Sequence, residues 1–185
     1  MIDPSFLGTI PSGRLANVLG CGVSAATMDR LAQLPRLQGR LIDLISARLG
    51  NVGVLTLGQA RALAMNPNEL TDLSARAGAI WYGGAIARII DKTSRQSLVA
   101  LLGEAAYGLA LACVDLRPPG ITLDLTSENI AKAVPVDGAA CLAAWCAAQS
   151  DAVSRRLQLT MPIATLGSVH AAWGPKIIGR LLADA

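Results

Sequence analysis

Residues 66–111, NPNELTDLSARAGAIWYGGAIARIIDKTSRQSLVALLGEAAYGLAL, constrain this chain more than any other stretch. Asn66-Pro67-Asn68-Glu69 reads as a helix start. Asn66 can accept a backbone N–H, Pro67 fits the first helical position, and Glu69 completes a capping box. Leu70, Leu73, Ala77, Ile80 and Trp81 then share one helical face. Ala75, Ala79, Gly83 and Ala87 recur every four residues, a small-residue stripe that admits a neighbouring helix closely. Gly83-Gly84 costs about 1 kcal/mol per glycine relative to alanine, so the helix either pauses there or accepts the cost for packing. Thr93 or Ser94 can cap a further helix carrying Leu98, Leu101 and Leu102, and Glu104 to Leu116 places Tyr107, Leu111 and Val114 at helical spacing. The pattern is one of packed helices, without a nucleophile motif, a metal-ligand set or a phosphate loop.

The flanks read the same way. The residues through Pro11 are expected to form a loosely attached lead. Ser24 can cap a helix running toward Leu34, and Pro35 suits the first turn of the next. That helix sets Leu37, Leu41, Leu44, Ile45 and Leu49 on one side, and Gly50 is placed to end it. Thr56 can open a brief helix to Met65. Arg117-Pro118-Pro119-Gly120 is a firm break. The alternation of Ile121, Leu123 and Leu125 predicts a short extended segment or hairpin over 121–125. Beyond it, Asp137, Ser150 and Gly174-Pro175 are each expected to open a helix. The sequence therefore predicts a compact, all-α, multi-helix protein. The break suggests an N-terminal helical region, 1–117, and a C-terminal one, 118–185, or else a single compact domain.

The apolar share is 52% and the charged share 16%, against about 45–50% and about 25% in an average globular domain. Scarce surface charge leaves apolar surface exposed, which often marks a partner site. The net charge of +3 is uneven: residues 1–66 carry six arginines against three aspartates, residues 67–133 six basic against seven acidic groups, and residues 134–185 four against three. Arg30, Arg36, Arg40, Arg48 and Arg61 dominate the first third. Nucleic-acid binders carry a denser basic footprint interleaved with aromatics, whereas aromatics here are 3%. The start, MIDPSFLGTIPSGR, lacks the basic and apolar segments of a secretory signal. No uninterrupted apolar run reaches the roughly 18 residues that mark a transmembrane candidate. Cytoplasmic placement is thus expected, with Cys21, Cys113, Cys141 and Cys146 as reduced thiols.

Candidate chemistry is thin. His170 is the single histidine, so any Ser–His or Cys–His device must use it, yet no nucleophile elbow surrounds the available hydroxyls and thiols. It reads as a surface or hydrogen-bond-satisfied side chain. One histidine and scattered cysteines do not supply zinc's three or four spaced ligands. No metal or other cofactor is expected. Cys141 and Cys146 flank Trp145 and read as buried small hydrophobes. Gly20-Cys21-Gly22 lacks the third glycine of a dinucleotide loop. Asp115, Asp124 and Glu128 cluster about the central break and read as solvation and capping. Leu57 to Ala79 has the outline of a helix-turn-helix, but holds only Arg61 and Arg76 as basic groups.

The run ELTDLSARAGAIWYGGAIARIIDKTSRQSLVALLGEAAYGLAL resembles the K subunit (SctK/YscK-like family) of bacterial type III secretion systems. The likeness lies in the Leu-rich helix start, the AGAIWYGGAI segment and LVALLGEAAYGLAL. The later stretch DGAACLAAWCAAQSDAVSRRLQLTMP is similar to that family as well, through CLAAW, the Arg155-Arg156 pair and the Leu–Pro ending. The resemblance implies a non-enzymatic adaptor of the cytoplasmic sorting platform. Such a subunit links the cytoplasmic domain of the inner-membrane ring to the pod-forming Q subunit and meets the membrane only through partners. The family brings no catalytic residues. Arg155, Arg156, Lys176 and Arg180 are the expected partner-binding side chains. The alternative is a small helical nucleic-acid-binding regulator.

Overall fold

The computed structural model describes residues 7–8, 10–20, 22–121, 126–161 and 164–184. Among them are eleven α-helices and no strand, so the protein is all-α. In chain order the first six are α1 (Ser12–Leu19), α2 (Ala25–Ala32), α3 (Pro35–Leu49), α4 (Leu57–Ala64), α5 (Pro67–Trp81) and α6 (Gly83–Ile86). The others are α7 (Lys92–Leu102), α8 (Glu104–Ala112), α9 (Ser127–Ala147), α10 (Asp151–Leu157) and α11 (Ser168–Asp184). The chain falls into two compact units. One comprises Met1–Pro67 with Ser150–Met161, the other Asn68–Gln149 with Pro162–Ala185. Residues on both sides of the Pro118-Pro119-Gly120 joint belong to the second unit. Four residues of the expected extended segment, 122–125, lie outside the described residues.

In the first unit, local signals set the helix ends. The Ser24 side chain accepts the Thr27 N–H at 3.3 Å and caps α2. Pro35 opens α3, whose C-cap Gly50 has φ +77. Thr56 and Gln59 form a reciprocal capping box at the start of α4. The core gathers Leu15, Ala16, Met28, Leu41, Ile42, Ile45, Leu49 and Leu159. Leu7 and Ile10 are buried in the same cluster, so these residues of the expected loose lead are anchored. The inward stripe of α3 includes Ile42, whereas Leu44 is exposed.

In the second unit α9 is the central helix, and its most extensive partner is α11. By length and composition α9 could cross a membrane. In this fold it is a core helix that buries ten residues, among them Ile130, Val134, Leu142 and Trp145. Glycines set its approach to its neighbours. A Cβ on Gly78 would lie 1.9 Å from the Val134 carbonyl oxygen, and one on Gly174 2.7 Å from that of Cys141. The predicted face of α5 is buried as expected. Its closest backbone approach, however, runs through Ser74 and Gly78, one position off the Ala75–Ala79–Gly83–Ala87 stripe. Ala79 and Gly83 are buried, but Ala75 is half-buried and Ala87 exposed.

Three expected helix starts move. Asp91, not Thr93 or Ser94, caps α7, accepting the Ser94 N–H at 2.7 Å. Asp137 lies mid-helix, because α9 begins at Ser127 behind the Thr126 cap and runs through Pro135. Helix α11 begins at Ser168 and runs through Pro175. An interior proline costs roughly 3 kcal/mol in intrinsic propensity. Both helices offset that cost by burying apolar faces, Ile177, Ile178, Leu181 and Leu182 in the case of α11.

Candidate functional site

Extending α9 and α11 through their prolines has a chemical consequence. It sets Asp137 on the body of α9 and His170 in the first turn of α11, both facing the end of α5. The Tyr82 hydroxyl donates to Asp137 Oδ2. Asp137 Oδ1 lies 3.0 Å from His170 Nε2. The imidazole stacks on Trp81 with ring centroids 4.3 Å apart and planes inclined by 12°. His170 Nδ1 is buried without a hydrogen-bond partner. The group borders an open pocket of about 360 Å³, which Gly120, Ile121 and Ser168 also line.

Burial raises the Tyr82 phenol well above the ordinary tyrosine range, and its bond to the Asp137 carboxylate adds to the effect. One turn along α9, burial first and the Asp137 charge second push the Cys141 thiol up to about 12. Both groups are therefore neutral at physiological pH. The arrangement joins three helices through a carboxylate that receives two side chains. No hydrogen bond joins the Ser168 hydroxyl to His170 among the described residues, so the cluster shows no assembled nucleophile–base pair. Nor do the described residues contain a group of three His, Cys, Asp or Glu side chains placed to hold a metal. Cys141 and Cys146 are buried, matching their reading as small hydrophobes.

The first unit holds a different kind of site. Arg14 reaches from α1 to the end of α10, where its Nη1 donates to the carbonyls of Gln158 at 3.0 Å, Leu159 at 3.3 Å and Met161. These carbonyls belong to the C-cap of α10 and the turn that follows it, where a cation also suits the negative end of the helix dipole. Beside this clasp lies an open cleft of about 410 Å³, lined by Arg14, Asn17, Val18, Arg48, Leu49 and Arg155 among others.

The four cations expected to face a partner divide between the units. Arg155 is 58% exposed and lies 3.7 Å from Asp151, a loose surface pair. Its neighbour Arg156 is half-buried and donates to the Gly50 carbonyl at 3.1 Å, so it holds the end of α3 in place. Lys176 lies 4.7 Å over the Trp173 ring, and Arg180 pairs with Asp184 at 2.7 Å on the exposed side of α11. Sequence reasoning missed both Arg14 and the Tyr82–Asp137–His170 link. Their partners are 144 to 147 and 33 to 55 residues away in the chain, beyond the reach of local pattern.

Against known proteins, the chain is similar to Nodulation protein NolU of Rhizobium fredii and to the protein of the same name from Sinorhizobium fredii. Each is 28% identical over 157 residues, spanning 82% of this chain and 70% of the relative. No protein-family model matches the chain, and no solved structure matches it.

Proposed function

We propose that this chain is a non-enzymatic adaptor of a type III protein secretion system. In this reading it is a cytoplasmic subunit that links the inner-membrane ring to the pod-forming Q subunit of the sorting platform. The observation that carries the reading is the similarity to a nodulation protein across 82% of the chain. The resemblance of residues 69–111 and 137–162 to the K subunit supports the finer reading, and a nodulation protein fits a secretion system that serves symbiosis. The all-α architecture is compatible with an adaptor: its strongest polar contacts tie helices together, and its arginine-lined cleft opens to solvent.

The test is co-purification. Affinity-tagged full-length chain is expressed with the Q subunit and with the cytoplasmic domain of the ring subunit, and each is expected to be retained. Capture of neither at micromolar concentration overturns the adaptor reading. Salt-sensitive retention on DNA without capture of either protein would establish the nucleic-acid alternative instead.

A further inference from the structure

We infer that the arginine-lined cleft of the first unit binds an acidic, apolar-flanked segment of a protein partner. The inference rests on the adaptor reading and names the chemistry of one of its contacts. All basic side chains of this unit are arginines: eight of them against four aspartates and no lysine, a net +4. The second unit carries eight basic against nine acidic groups, a net −1. Positive charge is thus concentrated in the unit that holds the cleft.

Within the cleft the arginines have different commitments. Arg14 is bound to the carbonyls that end α10 and fixes one wall. Arg48 is exposed and has no hydrogen-bond or ion-pair partner among the described residues. Among the described residues Arg155 is held only by a loose i,i+4 pair to Asp151, itself 93% exposed, which an incoming carboxylate can replace. The guanidinium fork matches a carboxylate with two parallel hydrogen bonds, which an ammonium does not. Between these cations the lining is mixed: half-buried Val18 and buried Leu49 and Leu159 are apolar, and Asn17 and Gln158 add amide groups. A site with two available guanidinium groups beside Val18, Leu49 and Leu159 suits glutamate or aspartate interleaved with leucine-like residues. A nucleic acid would instead call for aromatic stacking surfaces, and among the described residues no aromatic side chain lines this cleft.

The experiment is fluorescence anisotropy on the full chain with three labelled probes: a short peptide of alternating glutamate and leucine, the same peptide with lysine for glutamate, and a single-stranded oligonucleotide of equal charge. The Arg48→Glu/Arg155→Glu double variant is compared with Arg88→Glu, an exposed arginine of the second unit, and all are checked by thermal melt. Micromolar binding of the acidic peptide is expected, weakened about tenfold or more in the double variant by like-charge juxtaposition and unchanged in Arg88→Glu. Absence of acidic-peptide binding, equal binding by the double variant, or tighter binding of the oligonucleotide each overturns the cleft assignment. The same double variant then enters the co-purification. If it retains the Q subunit and ring domain as fully as the parent does, the cleft assignment fails while the adaptor reading stands. If the parent retains neither, the adaptor reading itself fails.

Discussion

Gly78 and Gly138 meet backbone to backbone where α5 crosses α9. A Cβ on Gly78 would lie 1.9 Å from the carbonyl oxygen of Val134, and one on Gly138 2.0 Å from that of Ser74. The colliding atoms are main chain, so no side-chain rotation relieves the clash, and a methyl on either residue must push the helices apart. Gly78→Ala and Gly138→Ala are expected to destabilise by about 1–3 kcal/mol, the cost of an overpacked interface. Ala79→Leu should cost a similar amount, because Ala79 is fully buried. Gly84→Ala is the control. It sits in a helix with open space around its Cβ position, and there alanine should be neutral or stabilise by up to about 1 kcal/mol. Denaturant midpoints of the four variants decide the matter, and an unchanged midpoint for Gly78→Ala would place the crossing elsewhere.

What the sequence made readable was local. Ser24, Thr56 and Pro35 stand where their chemistry requires, because capping needs only residues within one turn. The apolar face from Leu70 to Trp81 is buried because 3.6-residue periodicity reports which side faces a core. What failed was the placement of two helix starts. Asp137 reads as a cap and Gly174-Pro175 as a start, yet both lie inside helices whose packing outweighs the hydrogen bonds lost at Pro135 and Pro175. That error hid the site: Asp137 as an N-cap could not also be the carboxylate that receives Tyr82 and His170. The Arg14 clasp was out of reach for a different reason, since the order in which distant segments pack is not written in any one of them.

Arg14 should matter for stability more than any other arginine of the first unit. Its guanidinium serves three carbonyls at the end of α10. Removing it leaves partly buried acceptors unpaired, at a cost of about 1–3 kcal/mol. Arg14→Ala is therefore expected to lower the melting temperature, with Arg14→Lys intermediate because an ammonium keeps the charge but not the fork. Arg48→Ala, on an exposed side chain without a partner among the described residues, should melt within about 0.5 kcal/mol of the parent. Calorimetry on the three variants checks the ranking, and equal melting temperatures for Arg14→Ala and Arg48→Ala would refute it.

The thiols should react in a fixed order. Cys113 is half-buried, whereas Cys141 and Cys146 are buried in α9. Burial raises the Cys113 thiol, and burial with the Asp137 charge pushes Cys141 up to about 12, so little thiolate is present at neutral pH. With N-ethylmaleimide and peptide mapping by mass spectrometry, Cys113 is expected to be labelled before Cys141 or Cys146. These two should label only as fast as the second unit opens. Labelling of Cys141 ahead of Cys113 in the folded protein would contradict the packing of α9.

Alkaline pH should destabilise the second unit, and the sign follows from proton linkage. Tyr82 and Cys141 both have folded-state values raised above those of the unfolded chain, by burial first and then by Asp137. An unfolded tyrosine titrates near pH 10 and an unfolded cysteine near pH 8.5. Below those values both groups are protonated in either state and their contribution is fully present. As pH rises past about 8.5 for Cys141 and about 10 for Tyr82, the unfolded chain releases protons that the folded protein retains, and stability falls. Cys141→Ala should remove the earlier part of that loss and Tyr82→Phe the later part. Each variant also carries a pH-independent cost: a small cavity for alanine, and for phenylalanine the loss of the hydrogen bond that Asp137 accepts. The measurement is the denaturant midpoint as a function of pH from neutral to strongly alkaline, for the parent and both variants. A parent midpoint that stays flat above pH 10, or a Tyr82→Phe variant that keeps the parent's full alkaline slope, would mean that the phenol is not held protonated against Asp137.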